Sequence, residues 1–175
     1  KGIIDSARFL LAFSVIPSLQ SGGSALHTAA SHNQVELIQL LLDDPNTAFN
    51  VNEVKLADGT TPLFNSVSLG HIEATTVLLK RSANPNHVSK NGIVPIHIAA
   101  SMGHVAIVQI LLDYGADPNY QQSFAATTAL HFASEMGRAN VIELLCKRGA
   151  NKHSRKTTGG TALHTASDTN QTAAV

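Results

Sequence analysis

The sequence contains a single cysteine, Cys146. One thiol excludes any disulfide within the chain and any zinc site built from several cysteines, and a reducing, intracellular compartment is the expected setting. Charge is scarce, at 14% of residues, and it is balanced, with 12 Lys and Arg against 12 Asp and Glu. That balance points to no nucleic acid and no anionic membrane surface as a partner. Long apolar runs are missing too. The longest near the start, RFLLAFSVIP, stops at Pro17, short of the roughly 20 residues a membrane helix needs, so no membrane insertion is expected. The chain opens with Lys1, so the lack of a targeting segment within it carries no information about targeting.

What the sequence does have is apolar content, 43% of residues, enough for a folded core, and repetition. SALHTAASHNQVELIQLLL (24–42) aligns with TPLFNSVSLGHIEATTVLL (61–79), VPIHIAASMGHVAIVQILL (94–112), TALHFASEMGRANVIELLC (128–146) and TALHTASDTNQTAAV (161–175) without a gap. The anchoring apolar residue recurs at Leu26, Leu63, Ile96, Leu130 and Leu163, at separations of 37, 33, 34 and 33. Copies continue into RSANPN, YGADPN or RGANKH, and turns such as DGT or NGI close the unit. This pattern resembles the ankyrin repeat, with its T-P-L-H-x-A signature and period of about 33 residues. The likeness spans roughly residues 22–175, and several motifs recur together at fixed offsets. It implies an all-α ankyrin-repeat solenoid of helix-turn-helix units joined by hairpin-like loops, with four full repeats (22–58, 59–91, 92–125, 126–158) and a partial one (159–175). Residues 1–21 read as a degenerate repeat or N-terminal cap.

The physics of the unit agrees. Thr61, Thr128 and Thr161 are suited to cap a helix, and Pro62 and Pro95 stand where a first-turn proline forfeits no hydrogen bond. Small residues follow at Ala29, Ala30, Ala99, Ala100, Ala133 and Ser134, which lets neighbouring helices approach. Gly70, Gly103 and Gly137 then end that helix so that a second one can turn back. The second helix is apolar around much of its circumference, as in Val105, Ile107, Val108, Ile110, Leu111 and Leu112. Only stacking of copies buries such a helix.

His27, His97, His131 and His164 share one slot. Equivalent slots in adjacent repeats lie roughly one helix diameter apart, ~8–10 Å, whereas zinc needs nitrogen atoms about 2.0–2.1 Å away, so no metal site is expected from them. The family resemblance implies instead that this histidine bridges loops of adjacent repeats. His71 and His104 match the family's helix-turn histidine, and His32, His87 and His153 read as solvated. Cys146 shares its slot with Leu42, Leu79 and Leu112, which predicts a buried core thiol. No G-x-x-x-x-G-K-[ST], G-x-G-x-x-G or H-E-x-x-H occurs, and the repeat phase brings no carboxylates together. The expectation is therefore a non-enzyme with no cofactor and no small-molecule substrate.

Function is then expected on the surface that the repeat leaves free. The resemblance implies a concave face made by loop fingers and the inner helices. The slot before the helix-ending glycine is apolar three times, at Leu69, Met102 and Met136, and the fingers add Ile93, Phe124 and, less clearly, Leu56; these are the candidate partner contacts. A second feature is charge: Arg138, Lys147, Arg148, Lys152, Arg155 and Lys156 stand against Glu143 alone, which marks Arg155 and Lys156 on the fourth finger as contacts for an acidic partner. With no interleaved aromatics, nucleic acid is not favoured.

Departures from the repeat are expected to matter. Phe64, Asn65, Ser66 and Val67 replace the usual His-x-Ala-Ala, which removes one bridging histidine and predicts a softer joint. An insertion of about four residues around DDPNTAFNVN, and Ala126 at a turn-glycine position, predict two irregular fingers. Ala173, Ala174 and Val175 open what should be an outer helix and are not polar, so a continuation of the chain or a covering partner is expected. Two functions follow: a protein-binding scaffold or adaptor within a larger assembly, or the targeting or regulatory module of a longer enzyme or channel.

Overall fold

A computed structural model describes residues 23–43 and 49–169. The expected cap at 1–21, residues 44–48 of the insertion expected around DDPNTAFNVN, and the start of the last outer helix at 173–175 lie outside these residues. The described residues are helices and loops, without strands, and they divide between Ala83 and Asn84 into two compact units.

The first unit contains α1 (Ala25–Ser31), α2 (Val35–Asp43), α3 (Pro62–Ser68) and α4 (Ile72–Lys80). The inner helices α1 and α3 pack on each other, as do the outer helices α2 and α4. The second unit contains α5 (Pro95–Met102), α6 (Val105–Asp113), α7 (Ala129–Glu135), α8 (Ala139–Lys147) and α9 (Ala162–Asp168). There α7 lies between α5 and α9, and α6 packs on α8. Pro62 and Pro95 open their helices at the first turn, where the missing N–H costs nothing. Thr61 caps α3 by accepting from the Phe64 N–H (3.4 Å).

Close packing of the inner helices follows from their small residues. Ala29, Ala30, Ala99, Ala100 and Ala133 are completely inaccessible to solvent, as are the larger Leu26, Leu63 and Ile96 beside them. Each such Leu or Ile contributes about 1.5–3 kcal/mol by leaving water. Gly103 ends α5 in the left-handed region (φ 80°), and a Cβ there would stand 2.9 Å from Cδ of Arg138. That backbone favours glycine, and the Arg138 side chain would have to shift to admit a Cβ.

Asparagines fasten repeat to repeat. Asn52 donates from Nδ2 to the Ser82 carbonyl (3.2 Å) in the first unit. In the second, Asn86 donates to Gly115 O (2.8 Å) and Asn119 to Gly149 O (3.2 Å). Their Oδ1 atoms accept from the N–H groups of Asp117 (2.9 Å) and Asn151 (2.7 Å).

One expectation needs correction. Cys146 is half-buried, not a core thiol, because its slot sits at the margin of the outer helix: Leu42 and Leu112 are half-buried there as well, and only Leu79 is buried. The Phe64–Val67 departure makes bonds of its own, toward the first repeat and within its own. Asn65 donates to Ser31 Oγ (3.0 Å), and the buried hydroxyls of Ser66 and Thr75 pair at 2.9 Å.

Candidate partner-binding surface

The bridging histidines are architecture. Nε2 of His27 donates to Thr60 O (3.1 Å) and Nε2 of His131 to Gly160 O (3.3 Å), in each case the carbonyl that closes a finger. His97 differs: its Nε2 donates to Tyr120 O (2.9 Å), before the finger, and its ring lies between those of Tyr120 and Phe132 at 5.8 and 5.2 Å. Burial pushes the His97 imidazole down to about 4, against the opposing pull of the Tyr120 carbonyl and the Asp117 charge. His131 is shifted the same way, first by burial. A buried, neutral imidazole held by a carbonyl fixes a loop and has no free face for a ligand. His164 meets only its own cap, with Nδ1 at 2.7 Å from Thr161 Oγ1, and it is exposed.

The slot ahead of the glycine does face solvent. Leu69 in the first unit is 55% exposed, and in the second unit Met102 and Met136 are 52% and 48% exposed. Large apolar side chains left this open are candidates for contact. Met102 and Val105 look across a cleft of about 330 Å³ at Gly137, Arg138, Ala139, Asn140 and Val141. Arg138 closes one side by donating from Nε to Ser101 O (3.0 Å). His71 makes the same bond in the first unit, from Nε2 to Ser31 O (3.0 Å). Val105 and Asn140 escaped the sequence reading. The signal was available, since Arg138 aligns with His71 and His104 and so belongs to a structural slot rather than to a basic patch.

The fingers are hairpins of two widths. In 89–93 the Ser89 N–H reaches Ile93 O (2.9 Å), and in 156–160 the Lys156 N–H reaches Gly160 O (2.9 Å). In 55–60 and 122–127 the closing bonds, Lys55 N to Thr60 O and Gln122 N to Thr127 O (both 2.9 Å), enclose one residue more. The 122–127 finger, expected to depart from the standard hairpin, is one residue wider, as is 55–60, with Gly59 (φ 72°) and Ala126 (φ 51°) in the same left-handed position. Phe124 projects from the wider finger at 71% exposure. Ile93 does not project: it is half-buried, and its N–H donates to Ser89 Oγ (3.3 Å).

The basic patch is smaller than its sequence. Arg148 pairs with Asp113 (2.7 Å) and Lys147 with Glu143 (2.6 Å), while Arg138 is used as described. Arg81 and Asp43 pair likewise in the first unit. Arg155 is exposed and donates from Nη1 to Gly159 O (2.7 Å), and Lys156 is half-buried beside it. Cys146 lines a second cavity of about 380 Å³ with Leu130, Ile142, Lys152 and Leu163. Among the described residues, no cluster of three or more His, Cys, Asp or Glu side chains could hold a metal ion, and no helix is long and apolar enough to cross a membrane.

A family model described as ankyrin repeats (3 copies) matches residues 26–122, and one described as ankyrin repeats (many copies) matches residues 104–146. No curated protein matches the chain.

Proposed function

This chain belongs to the ankyrin repeat family, and we propose from that premise that it is a protein-binding scaffold or adaptor. Ankyrin repeats are generally protein-interaction modules and are typically non-catalytic. The observation that supports a groove contact is the exposure of Met102 and Met136 at one slot in successive repeats of the second unit, beside the cleft that Met102 and Val105 line. Leu69 presents the same slot in the first unit. Unbranched methionines adapt to different apolar surfaces, so the slot suits an apolar stretch of a partner protein.

The test compares proteins cross-linked by the wild-type chain with those cross-linked by a Met102→Glu, Met136→Glu double variant. Loss of a specific set of partners, at unchanged helical content, is the expected result. An identical set from both chains would remove the groove from consideration.

A further inference from the structure

We propose that the three stacked fingers of the second unit form a recognition edge for an extended acidic peptide segment, with Phe124 as its apolar anchor and Arg155 and Lys156 as its carboxylate contacts. This rests on the protein-binding reading above and adds the chemistry of the partner.

The fingers are joined to one another. Gln122 donates from Nε2 to Asn91 O (3.2 Å), tying the third finger to the second. Gly92 permits that approach, since a Cβ on it would meet Ser123 Oγ at 2.8 Å. On the other side the Thr157 N–H donates to Ala125 O (3.0 Å). That backbone bond sets Phe124, adjacent to Ala125, beside the finger that carries Arg155 and Lys156. Phe124 and the pair Arg155 and Lys156, separate in the sequence, thus stand on fingers joined to each other.

The charge on that surface is uncompensated. Of the six cations between Arg138 and Lys156, Arg138, Lys147 and Arg148 are engaged by Ser101, Glu143 and Asp113. Among the described residues no carboxylate pairs with Lys152, Arg155 or Lys156. Arg155 is already positioned by Gly159, and a guanidinium with five donors keeps others free for a carboxylate. A ring at 71% exposure offers apolar area that a partner side chain can cover. Three fingers spaced by roughly 8–10 Å match a peptide of about six extended residues. Single-stranded nucleic acid fits less well, because stacking needs successive π-faces along the track and these fingers present one exposed aromatic ring.

The test is selection of a displayed library of random peptides, roughly ten residues long so as to span the edge, on the whole chain. Labelled synthetic copies of the enriched sequences are then titrated by fluorescence polarisation against the wild type, Phe124→Ala, Arg155→Glu with Lys156→Glu, and Met102→Glu with Met136→Glu. All these side chains lie at the surface, and circular dichroism checks that each variant folds. The expected result is enrichment of acidic sequences around an apolar residue, with affinity lowered about tenfold or more by each finger variant, weakened by salt and shifted by the methionine pair less than by either finger variant. Peptides without acidic residues, peptides indifferent to the finger variants, or no enrichment would overturn the proposal. If such peptides instead responded to the methionine pair, the protein-binding reading would stand without this edge. A single-stranded oligonucleotide that displaced the peptide at equal or lower concentration, through the same residues, would also overturn it.

Discussion

Val94 leaves the buried Nδ1 of His97 without a hydrogen-bond partner. At the matching position Ser24 and Thr128 offer a hydroxyl to the histidine of their own repeat, at 3.1 Å to His27 Nδ1 and 2.8 Å to His131 Nδ1. Valine fills the space and offers nothing polar. An unmet buried acceptor costs about 1–3 kcal/mol, so Val94→Thr, nearly the same in shape, is expected to stabilise the second unit by about 1 kcal/mol. Denaturant midpoints of variant and parent check this, and a variant no more stable than its parent would show that the acceptor carries no such penalty.

The same ring makes stability depend on pH. His97 titrates at about 4 in the fold and near 6.5 when unfolded, so between these values the unfolded chain binds the extra proton. Its contribution is complete above about pH 6.5 and is lost as pH falls toward 4, a loss on the order of 3 kcal/mol. His131, also depressed by burial, acts in the same direction. Melting curves from pH 7 to pH 4 should show this decline, and His97→Gln should flatten it. A slope unchanged in the variant would assign the effect elsewhere.

Among the described residues, three that are not glycine hold left-handed backbone: Asn33 (φ 53°), Ser82 (φ 66°) and Ala126 (φ 51°). Ser82→Gly and Ala126→Gly are expected to stabilise by about 0.5–1 kcal/mol each, after the greater freedom of unfolded glycine is subtracted. Asn33→Gly should do the reverse by about 1 kcal/mol, because the Asn33 side chain caps α4, accepting from the Ala74 N–H (3.1 Å) and donating to Glu73 (3.1 Å). Thermal melts of the three single variants decide whether the signs split in this way.

The helices, their caps and the small residues between them were legible because one unit recurs at fixed offsets, so a weak local signal is read several times over. Features that depend on a single pair across repeats were not. Arg148 looked like part of a basic cluster because Asp113, its partner, lies 35 residues earlier. Cys146 looked buried because leucines share its slot, yet the slot itself lies at the helix margin. Leu69, Met102, Met136 and Phe124 are exposed, since an apolar residue that breaks a repeat's polar position has no core to enter. Ile93 is less open than Phe124 because its narrow turn holds it against Ser89. The joining of Phe124 to the fourth finger rests on a backbone bond, which side-chain patterns do not encode.

The wider hairpin at 122–127 separates the length of a repeat from its stacking. Its closing bond forms despite the added residue, and the asparagine fasteners on both sides, Asn86 to Gly115 and Asn119 to Gly149, are kept. A fingertip in this chain is therefore a place where residues can be gained or lost while the helices hold their register. Such a site is where new specificity can be grafted, by evolution or by an engineer, onto a frame that does not need to be rebuilt.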